Sequence, residues 1–150
     1  MKILVVEDDH LQADWMHKNL RIAFPQAELF QVSTEYEFQT RFEELARENL
    51  EAVVMDVMLR WADPPPDFST PPPEVQEQGF YRAGLRCERK LAEDERTQAI
   101  PVILYTVLEQ ADLKNDLQNL PDNVLYLPKK SDLEPVISEV RRIMRQRTET

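Results

Sequence analysis

The chain has 150 residues and a formal net charge of −10, and 42% of its residues are hydrophobic. This length is typical of one domain with a single core. The acidic balance argues against direct nucleic-acid binding, because a phosphate-binding surface needs clustered lysine and arginine. Four arginines near the end of the chain fit cations that complement the last turns of a helix.

Cysteine and histidine are scarce, which limits the available chemistry. Cys87 is the only cysteine, so an internal disulfide and a thiolate metal cluster are both excluded. His10 and His17 lack the further partners that a zinc site requires. No stretch approaches the roughly eighteen apolar residues of a membrane span, and no signal-peptide pattern is present. We therefore predict a cytoplasmic protein with no membrane partner.

Five short apolar runs alternate with helix-length segments along the chain. Runs without polar alternation are typical of strands buried on both faces of a parallel sheet. They lie at 2–6, 27–32, 51–55, 101–106 and 123–127. Helical spacing of apolar residues predicts helices at 10–24, 35–47 and 79–94, and further helices follow the fourth and fifth strands. This alternation predicts an α/β domain with a five-stranded parallel sheet and helices on both faces.

Two helix starts carry a capping-box pattern. Thr34 is followed three residues later by Glu37, and Ser131 is followed three residues later by Glu134. Both pairs predict the first turn of a helix. Cys87 falls on an apolar helical stripe, where a free cysteine is usually a small buried hydrophobe.

Polar residues stand at the ends of four predicted strands. In parallel sheets, ligands bind in the crevice outside the carboxyl ends of the strands. These residues are Glu7, Asp8 and Asp9 after strand 1, Asp56 after strand 3, Thr106 in strand 4, and Lys129 and Lys130 after strand 5. Each has an ordinary explanation when taken alone, such as helix capping for Asp9. Because all of them converge on one edge, we predict a functional site there.

The residue types at this edge favour phosphoryl chemistry. Carboxylates without histidine or cysteine form a hard oxygen site, which suits Mg²⁺ or Mn²⁺ better than zinc. A carboxylate beside such a cation can attack phosphorus and form an aspartyl-phosphate. The oxygens of the transferred group then need positive charge and hydrogen-bond donors. Lys129, Thr106 and the metal ion would provide them.

Four stretches resemble the receiver domain of bacterial two-component response regulators. They are KILVVEDD at 2–9, VVMDVML at 53–59, IPVILYT at 100–106 and LYLPKK at 125–130. The resemblance covers nearly the whole chain except about residues 60–78. It implies a stand-alone receiver at 1–150 with a flavodoxin-like fold and strand order 2-1-3-4-5.

The resemblance also implies the roles of individual residues around a magnesium (or manganese) ion. Asp56 would be the phosphoacceptor. Asp8, Asp56 and the main-chain carbonyl of Met58 would ligate the metal directly, and Glu7 would act through water. Hydrolases that form an aspartyl-phosphate usually carry a second acid at the position of Met58, so the resemblance favours a signalling phosphoacceptor over an enzyme that acts on other substrates.

Three further residues match the switch of the family. Thr106 and Lys129 would bind the phosphoryl group, and Tyr126 matches the aromatic switch position. A receiver of this kind accepts its phosphoryl group from a histidine kinase or a histidine phosphotransfer protein. The surface formed by the fifth strand and by the helices that follow strands 4 and 5 (helix 4 and helix 5 of the family) then changes for a downstream protein target. The resemblance also admits a homodimer.

Several positions depart from the family pattern. Lys130 stands where the family usually has proline. A second lysine is therefore available at this place, and Lys130 is an alternative to Lys129 for part of its role in binding the phosphoryl group. Val107 replaces a small residue, which narrows access to the phosphoryl group. Met58 and Leu108 stand where polar side chains can orient attacking water, and we therefore predict a long-lived phosphorylated form.

The largest departure is a proline-rich insertion at about 60–78, between strand 3 and helix 3. Its PPPDFSTPPP stretch favours extended polyproline II or disorder. A flap or partner-docking edge anchored by Trp61, Phe68 and Val75 is the alternative. The insertion also supports a second class of function, a phosphorylation-independent interaction module that keeps the acidic pocket.

Overall fold

A computed structural model of the chain describes residues 1–62 and 71–149. In this part of the chain, five parallel strands form one sheet with the order β2-β1-β3-β4-β5. The strands are β1 (Lys2–Val6), β2 (Glu28–Val32), β3 (Ala52–Met55), β4 (Val102–Thr106) and β5 (Val124–Pro128). The predicted parallel sheet and its strand order are therefore confirmed.

Helices lie on both faces of this sheet. They are α1 (His10–Ala23), α2 (Glu35–Thr40), α3 (Phe42–Ala46), α4 (Pro73–Gln78), α5 (Ala83–Ala92), α6 (Lys114–Gln118) and α7 (Glu134–Thr148). Helices α1 and α7 contribute to one hydrophobic cluster, and α2, α3 and α5 contribute to the other. Among the described residues, none of these helices is both long enough and apolar enough to cross a membrane.

The central strands are buried on both sides. In β1, Leu4 and Val6 pack into one hydrophobic cluster, whereas Ile3 and Val5 pack into the other, and all four are fully buried. Successive side chains of a strand point to opposite faces, so each face needs its own apolar residues. This explains why the sequence shows continuous apolar runs. The edge strands β2 and β5 are only partly buried.

Three predicted helices differ in detail from the structure, and one of them, at 79–94, forms a 3₁₀ turn at Phe80–Arg82 followed by α5. The segment 35–47 forms α2 and α3, which are separated at Arg41. The Arg41 guanidinium donates to the main-chain carbonyl of Gln31 and to Glu37. Between β4 and β5, a 3₁₀ turn at Gln110–Leu113 leads into the short α6.

The two capping predictions have different outcomes. The Thr34 hydroxyl accepts a hydrogen bond from the N–H of Glu37 at 3.1 Å, as predicted for the start of α2. The prediction for Ser131 is wrong. Helix α7 begins at Glu134. The N–H of Glu134 donates to Oδ1 of Asp132 at 3.0 Å, and not to the Ser131 hydroxyl that a capping box would use.

The chain that leaves β3 is attached to the start of α2. The carbonyls of Arg60 and Trp61 accept hydrogen bonds from the N–H groups of Glu35 and Tyr36 at 3.0 and 2.7 Å. N–H groups in the first turn of a helix have no hydrogen-bond partner within the helix. The carbonyls of Arg60 and Trp61 therefore provide their partners. The Trp61 ring packs edge-on against Tyr36, with 5.5 Å between the ring centroids.

The second half of the predicted insertion forms α4, which starts with Pro73. Proline is favoured in a first turn because its missing N–H needs no partner there. Helix α4 ends at Gly79, where φ is 75° and ψ is −173°. Val75 is buried. Phe68, the remaining predicted anchor, lies within 63–70, outside the described residues.

Candidate functional site

An open cleft of about 600 Å³ lies at the carboxyl edge of the sheet. The predicted strand-end residues other than Thr106, which is fully buried, line it together with residues that follow β3. Its lining includes Glu7, Asp8, Asp56, Met58, Arg60, Val107, Lys129 and Lys130. The fold therefore brings together residues that follow four separate strands, β1, β3, β4 and β5.

Asp56 is held at the bottom of this cleft by main-chain contacts. It directly follows β3, its N–H donates to the carbonyl of Val6 at 2.9 Å, and it is 6% exposed. Its Oδ1 accepts the N–H of Met58 at 3.1 Å, a local bond that is typical of aspartate at a turn. The second carboxylate oxygen, Oδ2, is thereby left to face other groups of the site.

Gly84 of α5 packs directly behind Asp56. A Cβ atom on Gly84 would lie 2.2 Å from the Asp56 carbonyl oxygen and 2.6 Å from Cα of Val57. The N–H of Gly84 donates to the Val57 carbonyl at 2.8 Å. A residue without a side chain is needed here, because the helix touches the backbone that positions Asp56.

Lys129 supplies the positive charge at the centre of the site. Its Nζ lies 2.5 Å from Oε1 of Glu7 and 2.8 Å from Oδ2 of Asp56. Its N–H donates to the Thr106 carbonyl at 2.8 Å, which extends the pairing of β4 and β5. Lys130 lines the cleft, and it is Lys129 that contacts both carboxylates.

Glu7 differs from an ordinary surface carboxylate. Burial and the nearby charge of Asp56 raise the pKa of its carboxyl to about 7, although the hydrogen bond from Lys129 acts in the opposite direction. Burial lowers the pKa of Lys129, but the charges of Asp56 and Glu7 outweigh burial and raise it. A protonated Glu7 leaves the Asp56 carboxylate and the Lys129 ammonium as a balanced pair.

Asp8 and Asp9 have different surroundings. Oδ1 of Asp9 accepts the N–H groups of Leu11 and Gln12 at 2.9 and 3.1 Å, so Asp9 is the N-cap of α1. Asp8 instead contacts Arg60. Its Oδ2 accepts the Arg60 main-chain N–H at 3.0 Å and Nε–H at 3.3 Å, and its carbonyl accepts Nη2–H at 2.8 Å.

The predicted switch residues are joined through Leu108. The fully buried Thr106 accepts the N–H of Leu108 on its hydroxyl oxygen at 3.3 Å. The hydroxyl of the half-buried Tyr126 donates to the carbonyl of Leu108 at 2.7 Å. Within the described residues, the Thr106 hydroxyl bonds to Leu108 rather than to Asp56.

The donor atoms fit a hard divalent cation in their chemistry. Glu7, Asp8 and Asp56 offer carboxylate oxygens, which Mg²⁺ prefers. In the described part of the chain, however, no three histidine, cysteine, aspartate or glutamate side chains are grouped as a metal site. Asp8 contacts Arg60, and Lys129 bridges the other two acids. A cation at Oδ2 of Asp8 would therefore compete with the Arg60 guanidinium.

The sequence did not identify the contact between Arg60 and Asp8. In the sequence, Arg60 stood out only as the first residue of the predicted insertion at about 60–78. Phe80 also lines the cleft, stacks on Tyr81 with 4.3 Å between ring centroids and is half-exposed. Phe80 belongs to the helix predicted at 79–94, and no signal in the sequence indicated that it lies at the cleft.

No protein-family model matches the sequence, and no curated protein matches it. Several solved structures share its fold. The signal receiver domain of a DNA-binding response regulator from Colwellia psychrerythraea is 16% identical, with a TM-score of 0.69 and coverage of 97% of this chain and 98% of that one. The signal receiver domain of a histidine kinase from Syntrophus aciditrophicus is 23% identical, with a TM-score of 0.68 and coverage of 99% and 93%.

A third similar structure is the receiver domain of a sensor histidine kinase from Pseudomonas aeruginosa, with a magnesium ion coordinated in its active site cleft. It is 21% identical, with a TM-score of 0.62 and coverage of 97% of this chain and 94% of that one. At these identities the likeness shows the fold alone. The chain has the flavodoxin-like fold of response regulator receiver domains, as the resemblance predicted.

Proposed function

We propose that the chain is a phosphoryl-accepting signalling switch, built as one receiver domain with an insertion at 60–78. Asp56 takes the phosphoryl group from a histidine kinase or a histidine phosphotransfer protein. The observation that carries this proposal is the 2.8 Å contact between Oδ2 of Asp56 and Nζ of Lys129 at the bottom of an open cleft. A nucleophilic carboxylate and a fixed positive charge are the groups that phosphoryl transfer requires.

The transfer requires little of the protein beyond positioning. A carboxylate oxygen of Asp56 attacks phosphorus and forms the new P–O bond. The bond between phosphorus and the donor's histidine nitrogen breaks, and that nitrogen keeps the electron pair and takes a proton. Lys129 lies where it can balance the charge of the phosphoryl oxygens.

Glu7, Asp8, Asp56 and the Met58 carbonyl would hold Mg²⁺ (or Mn²⁺). When bound, the ion neutralises charge on the phosphoryl oxygens. The hard oxygen donors at this edge support this assignment, as does the magnesium ion in the cleft of the similar Pseudomonas aeruginosa receiver domain. Two cationic side chains of the cleft already contact these three acids: Lys129 contacts Glu7 and Asp56, and Arg60 contacts Asp8.

The output of the switch would follow from the contacts of Leu108. A phosphoryl group adds about −1.5 to −2 charges at Asp56 and attracts the hydroxyl of Thr106. Moving Thr106 breaks its bond with Leu108, whose carbonyl holds the Tyr126 hydroxyl. The population shifts between two states, and the surface of α6, β5 and α7 changes for a downstream protein target.

A phosphorylation-independent interaction module is the second candidate. The observation that favours it is the Arg60 guanidinium at Asp8, because this contact occupies a proposed metal ligand. Such a module would keep the acidic cleft for structural reasons and bind partners through the insertion.

Phosphorylation by a small donor separates the two candidates. We expect incubation with acetyl phosphate and Mg²⁺ to add about 80 Da to the wild type and nothing to Asp56→Ala. Asp9→Asn is the matched control, because asparagine is an equally good N-cap and Asp56 stays intact, so this variant should keep the adduct. With donor and metal shown to be active on another receiver, absence of an Asp56-dependent adduct would exclude the switch.

A further inference from the structure

We propose that the Arg60 side chain competes with a divalent cation for Asp8, so that the segment after β3 lowers the metal affinity of the site. This inference rests on the proposed function, because it concerns the same metal ligands. Arg60 stands at the start of the insertion, and its side chain and the metal ion share one equilibrium at Asp8.

The contacts place the guanidinium on a proposed ligand. Nε of Arg60 lies 3.3 Å from Oδ2 of Asp8, and Nη2 lies 2.8 Å from the Asp8 carbonyl oxygen. The guanidinium and a metal ion both carry positive charge and both need the lone pairs of this acid. At Asp8, therefore, the guanidinium and the ion compete.

The main chain of Arg60 is held independently of its side chain. Its N–H donates to Oδ2 of Asp8 at 3.0 Å, and its carbonyl accepts the N–H of Glu35 at 3.0 Å. The next carbonyl, of Trp61, accepts from Tyr36 at 2.7 Å. The guanidinium can thus leave Asp8 while the backbone stays attached to α2, so a cation can replace it without unfolding the segment.

The exposure of the ion pair sets the size of the effect. The side chain of Arg60 is 49% exposed and that of Asp8 is 20% exposed. Water and salt screen such a pair, and pairs of this kind typically change an equilibrium by about two- to fivefold. We expect a change of this size in the metal dissociation constant. By reciprocity, bound metal weakens the Arg60 contact by the same factor.

The opposite role is also physically reasonable and gives the opposite result. Arg60 could hold the Asp8 carboxylate in the orientation that a cation needs. Removing it would then weaken metal binding, whereas removing a competitor strengthens it. The sign of the change in affinity therefore distinguishes competition from preorganisation.

The experiment titrates Mg²⁺ alone and Mn²⁺ alone into the full chain at low salt. The intrinsic fluorescence of Trp15 and Trp61 follows the Mg²⁺ titration, and the spin resonance signal of the free ion follows the Mn²⁺ titration. Arg60→Ala and Arg60→Gln should bind both ions about two- to fivefold more tightly than the wild type. The control is Arg96→Ala, which removes the same charge from an exposed ion pair with Glu43 and should leave the affinity unchanged.

The outcomes of these titrations distinguish failure of the inference from failure of the proposed function. Unchanged or weaker binding in both Arg60 variants overturns the inference while the proposed function stands. An equal gain in Arg96→Ala also overturns it, because net charge would then be the cause. If neither the wild type nor the variants bind either ion, the metal part of the proposed function fails and the inference fails with it.

Discussion

Nζ of Lys129 lies 2.8 Å from Oδ2 of Asp56, although the two residues are 73 positions apart in the chain. The strand order explains the contact, because β1, β3 and β5 all end at the same edge of the sheet. The same ammonium lies 2.5 Å from Oε1 of Glu7. One largely buried cation therefore contacts two buried acids, and the stability of the site depends on that cation.

Replacing Lys129 with methionine should destabilise the fold. Its side chain is 13% exposed, and its removal leaves Glu7 and Asp56 as buried acids without a cation. Breaking a buried pair by removing one partner is costly, so we expect a loss of about 2–4 kcal/mol in urea unfolding at pH 8. Lys130→Met is the matched control and should cost less than about 0.5 kcal/mol. Equal losses would show that Lys130 shares the role.

The stability of the metal-free protein should depend on the protonation of Glu7. Its pKa is raised to about 7 in the folded protein, so the folded state binds the proton more tightly than the unfolded state. The stabilisation is complete below the unfolded pKa of about 4.3 and is lost as the pH rises through about 7. We expect Glu7 to account for a fall on the order of 2 kcal/mol between pH 5 and pH 8.

Urea unfolding without metal at a series of pH values measures this fall. Glu7→Gln cannot ionise, so its stability relative to the wild type should increase as the pH rises from 5 to 8. Glu43→Gln is a control at an exposed position, where Arg96 lowers the pKa of the carboxyl. Parallel profiles for the wild type and Glu7→Gln would contradict the raised pKa.

The sheet and the site edge were predictable because both depend on strong local signals. The apolar runs located each strand to within one residue, and the rule for parallel sheets located Asp56 and Lys129 at one edge. The break at Arg41 and the capping of α7 by Asp132 were not predictable, because each depends on a choice between competing polar partners. The contact between Arg60 and Asp8 spans 52 positions and depends on the path of the insertion.

Gly84→Ala should destabilise the protein, although alanine normally favours a helix over glycine. The new Cβ would lie 2.2 Å from the Asp56 carbonyl oxygen, so α5 or the end of β3 must shift. We expect a loss of about 1–3 kcal/mol, together with slower phosphorylation by acetyl phosphate because Asp56 moves.

Gly79→Ala is the useful comparison for this variant. Nothing lies within 4 Å of its Cβ position, but its φ of 75° and ψ of −173° are strained for alanine. We expect a loss of about 1–3 kcal/mol here as well, with the phosphorylation rate unchanged. Equal rates in Gly84→Ala and the wild type would show that the contact with α5 does not position Asp56.

The phosphorylated form should be long-lived. Met58 donates its N–H to Oδ1 of Asp56 and lines the cleft, but its side chain cannot hydrogen-bond an attacking water strongly. Met58→Asn should shorten the lifetime by about an order of magnitude, since a polar group can orient that water. Phosphate release after removal of the donor measures the lifetime. Ile22→Asn, at an exposed position of α1, should leave it unchanged, and wild-type release within seconds would contradict the prediction.

Breaking the buried ion pair between Glu35 and Arg86 should destabilise the protein more than breaking an exposed pair. Nε and Nη2 of Arg86 donate to the two carboxylate oxygens of Glu35 at 2.8 and 2.7 Å, and both side chains are buried. Arg86 also donates to Gln78 and to the Gly79 carbonyl, which fastens the end of α4 to α2 and α5. Glu35→Ala leaves the guanidinium buried without its carboxylate and should cost about 3–5 kcal/mol in urea unfolding.

Two comparisons show whether the unpaired charge of Arg86 causes the loss of stability in Glu35→Ala. Glu74→Ala breaks an exposed pair with Arg89 and should cost less than about 1 kcal/mol. The double variant Glu35→Gln with Arg86→Met removes both charges and should recover much of the loss, because replacing a whole buried pair is often nearly neutral. If the double variant is as unstable as Glu35→Ala, the balance of charge is not the cause. The hydrogen bonds from Arg86 to Gln78 and to the Gly79 carbonyl then hold α2, α4 and α5 together.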